Sequence, residues 1–296
     1  MNNKKTIGIV VDEAVDLPKE IIDEHQIGIV PLKAYWPEIE NLPGENVFQK
    51  MREAEKKGIK TFVKTSQPSI KDFLNVYQKQ LEKFEKIICL TITSKHSGTY
   101  NSGVQAKRFL NPKEEGNVFV IDSLNGSCGH ALSVLRVIDL IKSGKGIEEI
   151  LKDLEKFIPQ VRFFGLLEDP KWLEASGRLS SILANWIRKF QKIGIRPLIG
   201  IKEGKISAIG IKTGVKDVPT ALFKELEEKT KILRKQGRKI RLAITHGDNL
   251  KGAQQLKEMI EKELENIEIA FVNLVDDILG TILGPDVLFL AWAPVE

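Results

Sequence analysis

The run EKIICLTIT, Glu85 to Thr93, ends in a loop of hydroxyls and glycines, SKHSGTYNSG, which passes directly into the helical pattern VQAKRFL. An apolar, β-branched run, then a loop, then a helix is a βα unit. The same order recurs where TIGIVVDE leads into VDLPKEIIDEHQ and where NVFVIDS leads into SCGHALSVLRVIDLIKSG. Parallel strands need a crossover between them, so this alternation predicts an α/β fold with a mostly parallel open sheet and flanking helices. The strand runs are apolar throughout rather than alternating, as strands covered on both faces are.

Along this first half, Asp16 is the expected cap of the helix that starts near Pro18. IGIVPLKAYW reads as one strand, and KTSQPS as a helix start. Near Lys145 the pattern changes. VRFFGLLED is a strand, WLEASGRLSSILANWIRKF a loop and helix, and RPLIGIKEGKISAIGIKTG a β-hairpin turning at Glu203-Gly204. A long charged helix from Val218 to Gly237 follows, and the segment from Ile267 onward reads as strands and loops. A boundary near residues 158–162 divides the chain into an N-terminal α/β domain, 1–160, carrying the hydroxyl loops, and a C-terminal α/β domain, 161–296.

The 296 residues are 42% apolar and 29% charged, with a formal charge of +5, as in a soluble globular protein. Lysine and arginine alternate with glutamate on solvated helix faces, and aromatics do not interleave with a basic stripe, which argues against nucleic acid. No apolar run is long enough for stable membrane insertion. MNNKKTIGIVVD passes from basic residues straight into a strand without a cleavage region. Cys89 and Cys128 have no metal-ligand spacing and read as reduced thiols of a cytoplasmic protein. The four histidines, His25, His96, His130 and His246, show no metal spacing, and no Ser/His/Asp set or acid–base pair can be assembled. No cofactor, metal or catalytic residue is expected.

What remains is a set of hydroxyl loops. Ser97, Thr99 and Ser102 lie where a strand gives way to a helix, a place suited to an anion, although Ser97 or Thr99 also suits a helix cap and Gly98 a turn. Thr65 and Ser66 precede Pro68 in a second such loop, which also reads as a capping motif. Asp122 and Ser123 end a third strand, and Ser123 is placed to cap the helix that follows. In an open parallel sheet these carboxyl ends share one edge, where ligands bind. Arg178, in the Gly-marked loop SGR, suits a carboxylate or a phosphate, or is a surface arginine before a helix.

TSQPS, SGTYNS, VIDS and SGRLS, in this order, together with the opening VDEAVDLP, resemble the DegV family over essentially the whole chain. The resemblance implies two α/β domains and a long-chain fatty acid whose tail lies in an apolar tunnel, mostly of the C-terminal domain. Its carboxylate would be held by Thr65, Ser66, Ser97, Gly98, Thr99 and Arg178, with Asp122 and Ser123 in support. FFGLL, ILANWI, IRPLIGI and FVNLV are the candidate tunnel runs. Several members of the family are the fatty-acid-binding subunit of a bacterial fatty acid kinase. They present the carboxyl group to a separate ATP-dependent kinase and are not enzymes themselves. Two departures stand out. The family pattern Gly-x-His-x-Gly-Pro-Gly is here GTILGPD, with Ile282 at the head-group position of the histidine and Asp286 at the last glycine, and the first loop reads Asp12-Glu13 instead of Asp-Ser. These departures keep open a regulatory or scaffolding protein with altered or lost lipid binding. The hydroxyl loops keep open an enzyme acting on a small phosphorylated ligand, with a nucleophile among Ser97 and Thr99.

Overall fold

The computed structural model describes residues 5–295. β1 (Lys5–Asp12), buried from Ile7 onward, is followed by α1 (Lys19–Glu24) and β2 (Gly28–Val30). Asp16 does not cap α1. It is buried with φ +50, and its carboxylate accepts a hydrogen bond from Ser127 Oγ. The strand expected over IGIVPLKAYW is divided into β2 and β3 (Lys33–Tyr35). Pro31 has no N–H for a ladder, and the Leu32 N–H donates to Glu13 Oε2 at 2.9 Å. α2 (Pro37–Glu40) and α3 (Val47–Lys56) come next, the latter capped by Asn46. β4 (Lys64–Ser66) pairs with β3, so Thr65 and Ser66 sit in a strand and not at a helix start. The helix start is at Ser69, whose side chain and that of Asp72 form a reciprocal capping box on α4 (Ile70–Lys83).

β5 (Phe84–Thr91), α5 (Thr99–Lys107), α6 (Pro112–Glu115), β6 (Val118–Asp122), α7 (Ser127–Lys142) and α8 (Ile147–Phe157) complete the first half. Gly126, not Ser123, is the N-cap of α7. Then follow β7 (Arg162–Leu166), α9 (Lys171–Ala175), α10 (Ser181–Lys192), β8 (Arg196–Lys202) and β9 (Lys205–Lys212). Glu203 and Gly204 turn the β8–β9 hairpin with φ of +51 and +80, the left-handed pair that a two-residue turn requires. α11 (Val218–Lys235), β10 (Lys239–His246), α12 (Leu250–Glu263), β11 (Ile267–Leu274), α13 (Asp277–Leu283) and β12 (Leu288–Val295) close the described chain. The closing segment thus contains a helix where the sequence pattern predicts only strands and loops. α13 has only seven residues and begins after Asp276, which accepts from the N–H groups of Ile278 and Leu279.

The chain forms two compact units. The first contains the residues up to Lys33, Ser66–Val161 and the hairpin turn Glu203–Lys205; the second contains Ala34–Thr65, Arg162–Lys202 and the residues from Ile206 on. The expected block 1–160 is therefore interrupted, because Ala34–Thr65 packs with the later residues through contacts such as α3 on α13.

The first unit holds a four-stranded, all-parallel sheet in the order β2-β1-β5-β6. One face is closed by Phe73, Tyr77 and Leu81 of α4 and by Ala106 and Leu110, packed on Val10, Ile87, Cys89 and Val118. Each fully buried side chain of this size contributes about 1.5–3 kcal/mol. The register pairs Val11 with Leu90 and Thr91 with Asp122, which brings Asp12, Thr91 and Asp122 to the same edge of the sheet. The second unit holds a six-stranded sheet in the order β11-β10-β12-β7-β8-β9, in which β10 and β11 run parallel while β12 is antiparallel to both β10 and β7, and β7 to β8. β12 is buried along its whole length, and Leu242, Ile244, Leu256 and Leu290 pack in its core.

Candidate functional site

The hydroxyl loop of the first unit starts where β5 ends, and its first three amides are held by strand-end carboxylates and by the loop that follows β6. Ile92 N–H donates to Asp12 Oδ2 at 2.6 Å, Thr93 N–H to the Asn125 carbonyl at 2.8 Å, and Ser94 N–H to Asp122 Oδ2 at 3.1 Å. The second oxygen of Asp122 accepts from Leu124 N–H at 2.8 Å. Ser123 N–H donates to the Thr91 carbonyl, and its hydroxyl donates to the Asn125 carbonyl at 3.1 Å. Asp122 and Ser123 thus hold backbone. Thr93 Oγ1 donates to the Gly204 carbonyl at 2.9 Å, which ties the loop to the hairpin turn.

At the far end of this loop Ser97 Oγ and Thr99 Oγ1 are 2.7 Å apart, and Thr99 N–H donates to Ser97 Oγ at 3.3 Å. Two hydroxyls bonded to each other use one of their two protons between them. One O–H is left to donate outward, and this fits one oxygen of an anion. Ser97 also satisfies an amide at the start of α5, so its capping and its ligand roles are compatible. Gly98 is the N-cap of α5, and a Cβ built on it would lie 2.0 Å from Gln67 Oε1. Gln67 therefore lies over Gly98 because that residue has no side chain, and its Nε2 donates to Ser102 Oγ at 3.3 Å. Sequence patterns alone do not single out Gln67, although it is the middle letter of TSQPS.

In the second unit Arg178 follows Gly177, whose φ is +76. Its guanidinium donates to Thr65 Oγ1 at 3.1 Å and to the Ser176 carbonyl at 3.3 Å. Both partners are neutral, and among the described residues no carboxylate pairs with it. Partial burial lowers its pKa from the ordinary guanidinium value. Ser66 ends β4 with its side chain exposed.

Ile282 is buried in α13, which packs on α3 and α9. The glycine pattern around it has clear causes. Gly284 has φ +88, and a Cβ there would meet Trp172 Cδ1 at 2.1 Å. Asp286, where the family pattern predicts glycine, takes a left-handed backbone at φ +64. Its carboxylate accepts from Arg52 Nη2 at 2.8 Å, while Arg52 Nη1 reaches Asp248 Oδ2 at 2.5 Å. An ion pair thus offsets the backbone cost of a non-glycine residue, about 1–2 kcal/mol. Arg52→Ala is expected to lower stability by about 1–3 kcal/mol in urea denaturation, because it strips both carboxylates of their cation and leaves Asp248 only the Asn46 amide. Asp286→Gly, which relieves the backbone as it removes one partner, is expected to cost less. The second departure also has a structural answer, since Glu13 reaches over to the Leu32 amide.

Of the expected tunnel runs, Ile182 is 85% exposed on α10 and is excluded. Phe164, Leu166 and Leu198 belong to the core of the six-stranded sheet, and Phe163 stacks on Phe289 at 5.1 Å between ring centroids. Cys89 and Cys128 are both free and buried. Among the described residues no helix is long and apolar enough to cross a membrane.

Two α/β units, one with hydroxyl loops at the carboxyl edge of a parallel sheet, define a class that is found in several bacteria. A family model described as "Uncharacterised protein, DegV family" matches residues 6–295. The chain belongs to the DegV family. It is 28% identical to the "Fatty acid-binding protein" of Thermotoga maritima over 289 residues, 94% of each chain. A structure described as "Fatty Acid Binding of a DegV family Protein from Thermus thermophilus" shares the fold with a TM-score of 0.82 at 23% identity, over 98% of this chain and 100% of that one. A DegV lipid-binding protein from Thermotoga maritima matches with a TM-score of 0.76 at 25% identity, over 98% of this chain and 99% of that one.

Proposed function

We propose that this protein binds a long-chain fatty acid and presents its carboxylate to a separate ATP-dependent kinase, which would form the acyl phosphate. The protein itself is a carrier and not an enzyme. The observation that carries this reading is Arg178, a part-buried guanidinium hydrogen-bonded to the neutral Thr65 hydroxyl, with no carboxylate of the described chain beside it. A part-buried cation of this kind favours an anionic guest. The head-group residues in this reading are Arg178, Thr65, Ser66, Ser97, Gly98 and Thr99. The relative named as a fatty acid-binding protein supports the choice of anion.

The tail occupies an apolar tunnel and supplies most of the affinity. About 0.8 kcal/mol per buried methylene amounts to roughly 12 kcal/mol for about fifteen of them, before ordering costs. A charge-assisted hydrogen bond at the head contributes about 1.5–3 kcal/mol and sets orientation. Ile282, where the family has histidine, removes one polar head-group partner and leaves orientation to Arg178 and the hydroxyls.

Mass spectrometry of an organic extract of the protein, purified without added lipid, tests the reading. One fatty acid per chain is expected, also from Ser97→Ala protein, because the tail dominates. An empty extract from folded protein that takes up no added fatty acid would instead favour the reading in which Ile282 marks a lost lipid function.

A further inference from the structure

The hydroxyl loop of the first unit hangs from carboxylates on both sides, and the family resemblance points to Asp122 and Ser123, on the β6 side, as its support. On the other side Asp12, the last residue of β1, is fully buried and uses both oxygens on backbone. Oδ1 accepts from Ala14 N–H at 3.1 Å and Oδ2 from Ile92 N–H at 2.6 Å, the first amide beyond β5. Ile92 lies five residues before Ser97, and the intervening Thr93 and Ser94 are themselves bonded to the β6 side. Displacing Ile92 would shift the whole segment, because both of its walls are sheet strands in fixed register.

We propose that Asp12 is a positioning residue: it sets the path of the β5–α5 loop so that the outward hydroxyl of the Ser97–Thr99 pair meets the ligand's carboxylate. This rests on the fatty-acid reading above. Asp12 acts through Ile92 and touches no ligand. The groups around it are Glu13 on its own strand end, Cys89 on β5 and His130 on α7, whose ring lies against the Leu90 and Ala14 carbonyls. None of these is a cation that competes with the two amides. Burial drives the Asp12 carboxyl up to about 7 against the opposing pull of those amides.

The readout is head-group discrimination, the ratio of affinities for hexadecanoic acid and hexadecanol, two ligands with one tail. The wild-type protein is expected to prefer the acid by about tenfold or more. Asp12→Asn, of the same shape but with one acceptor where there were two, is expected to narrow that ratio at least several-fold. Hexadecanol affinity should stay within about twofold, and amide exchange in residues 92–98 should accelerate. A merely structural role would weaken both ligands alike. An unchanged ratio in Asp12→Asn overturns the proposal while leaving the fatty-acid reading intact. A wild-type protein without preference for the acid overturns that reading and the proposal with it. Should Asp12→Asn fail to fold, exchange in the wild-type protein decides. Slow exchange at Ile92 and Ser94, slowed further by hexadecanoate, supports the proposal, and fast exchange at Ile92 overturns it.

Discussion

Arg178→Ala lowers the affinity for a long-chain fatty acid by about ten- to a hundredfold, and folding stability stays within about 1 kcal/mol of wild type. The guanidinium has no carboxylate to leave behind, and its partners are the Thr65 hydroxyl and the Ser176 carbonyl. Truncation therefore gives up two hydrogen bonds to neutral partners and at the same time removes a charge whose burial is unfavourable. The ligand, by contrast, loses its only charged partner in the proposed site, a term of about 1.5–3 kcal/mol. Arg178→Lys restores part of this, since an ammonium keeps the charge and loses the two-pronged geometry. Titration calorimetry with a soluble fatty acid, beside urea denaturation, separates the two effects. Equal fatty-acid affinity in wild type and Arg178→Ala would remove Arg178 from the site.

Stability of the wild-type protein relative to Asp12→Asn falls as pH rises from about 4 to about 7.5. The Asp12 carboxyl has a pKa of 3.8 in its ordinary setting and about 7 in the fold, chiefly because burial disfavours the charged form. The folded state therefore holds the proton more tightly. Its contribution is fully present below the unfolded value and is lost as pH rises through the folded one. At about 1.4 kcal/mol per unit, the difference amounts to about 4 kcal/mol over the window. The asparagine of the variant does not titrate, and groups common to both proteins cancel. Guanidinium denaturation of the pair at several pH values gives the curve. A flat difference would show that the Ile92 and Ala14 amides fully compensate the carboxylate for its burial. The proposed role of Asp12 in the loop is a matter of geometry and would survive that result.

Much of the molecule was legible in the residues because local chemistry decides it. Apolar runs without alternation identified the strands of the parallel sheet, and the hairpin followed from a single dipeptide, Glu203-Gly204, that tolerates left-handed backbone. Where several local rules competed, the sequence misled. Asp16 has the chemistry of a cap, but the Ser127 hydroxyl claimed its carboxylate from 111 residues away. Thr65 and Ser66 stand before a proline as capping residues do, and pairing with β3 drew them into a strand. α13, at seven residues, was too short to show a helical period.

The sequence by itself determined the class of fold and the hydroxyl residues near the strand ends, because hydrophobic period and turn chemistry are properties of neighbours in the chain; the family followed from the resemblance of its motifs. Only the tertiary structure decided which of those residues meet. That Asp12 holds Ile92, that Gln67 covers Gly98, that Arg178 faces Thr65 rather than a carboxylate and that Arg52 pairs with the left-handed Asp286 all depend on strand register and helix packing. These contacts join residues tens to hundreds of positions apart, and their energies are set by burial and by the partners within reach, which no local pattern encodes.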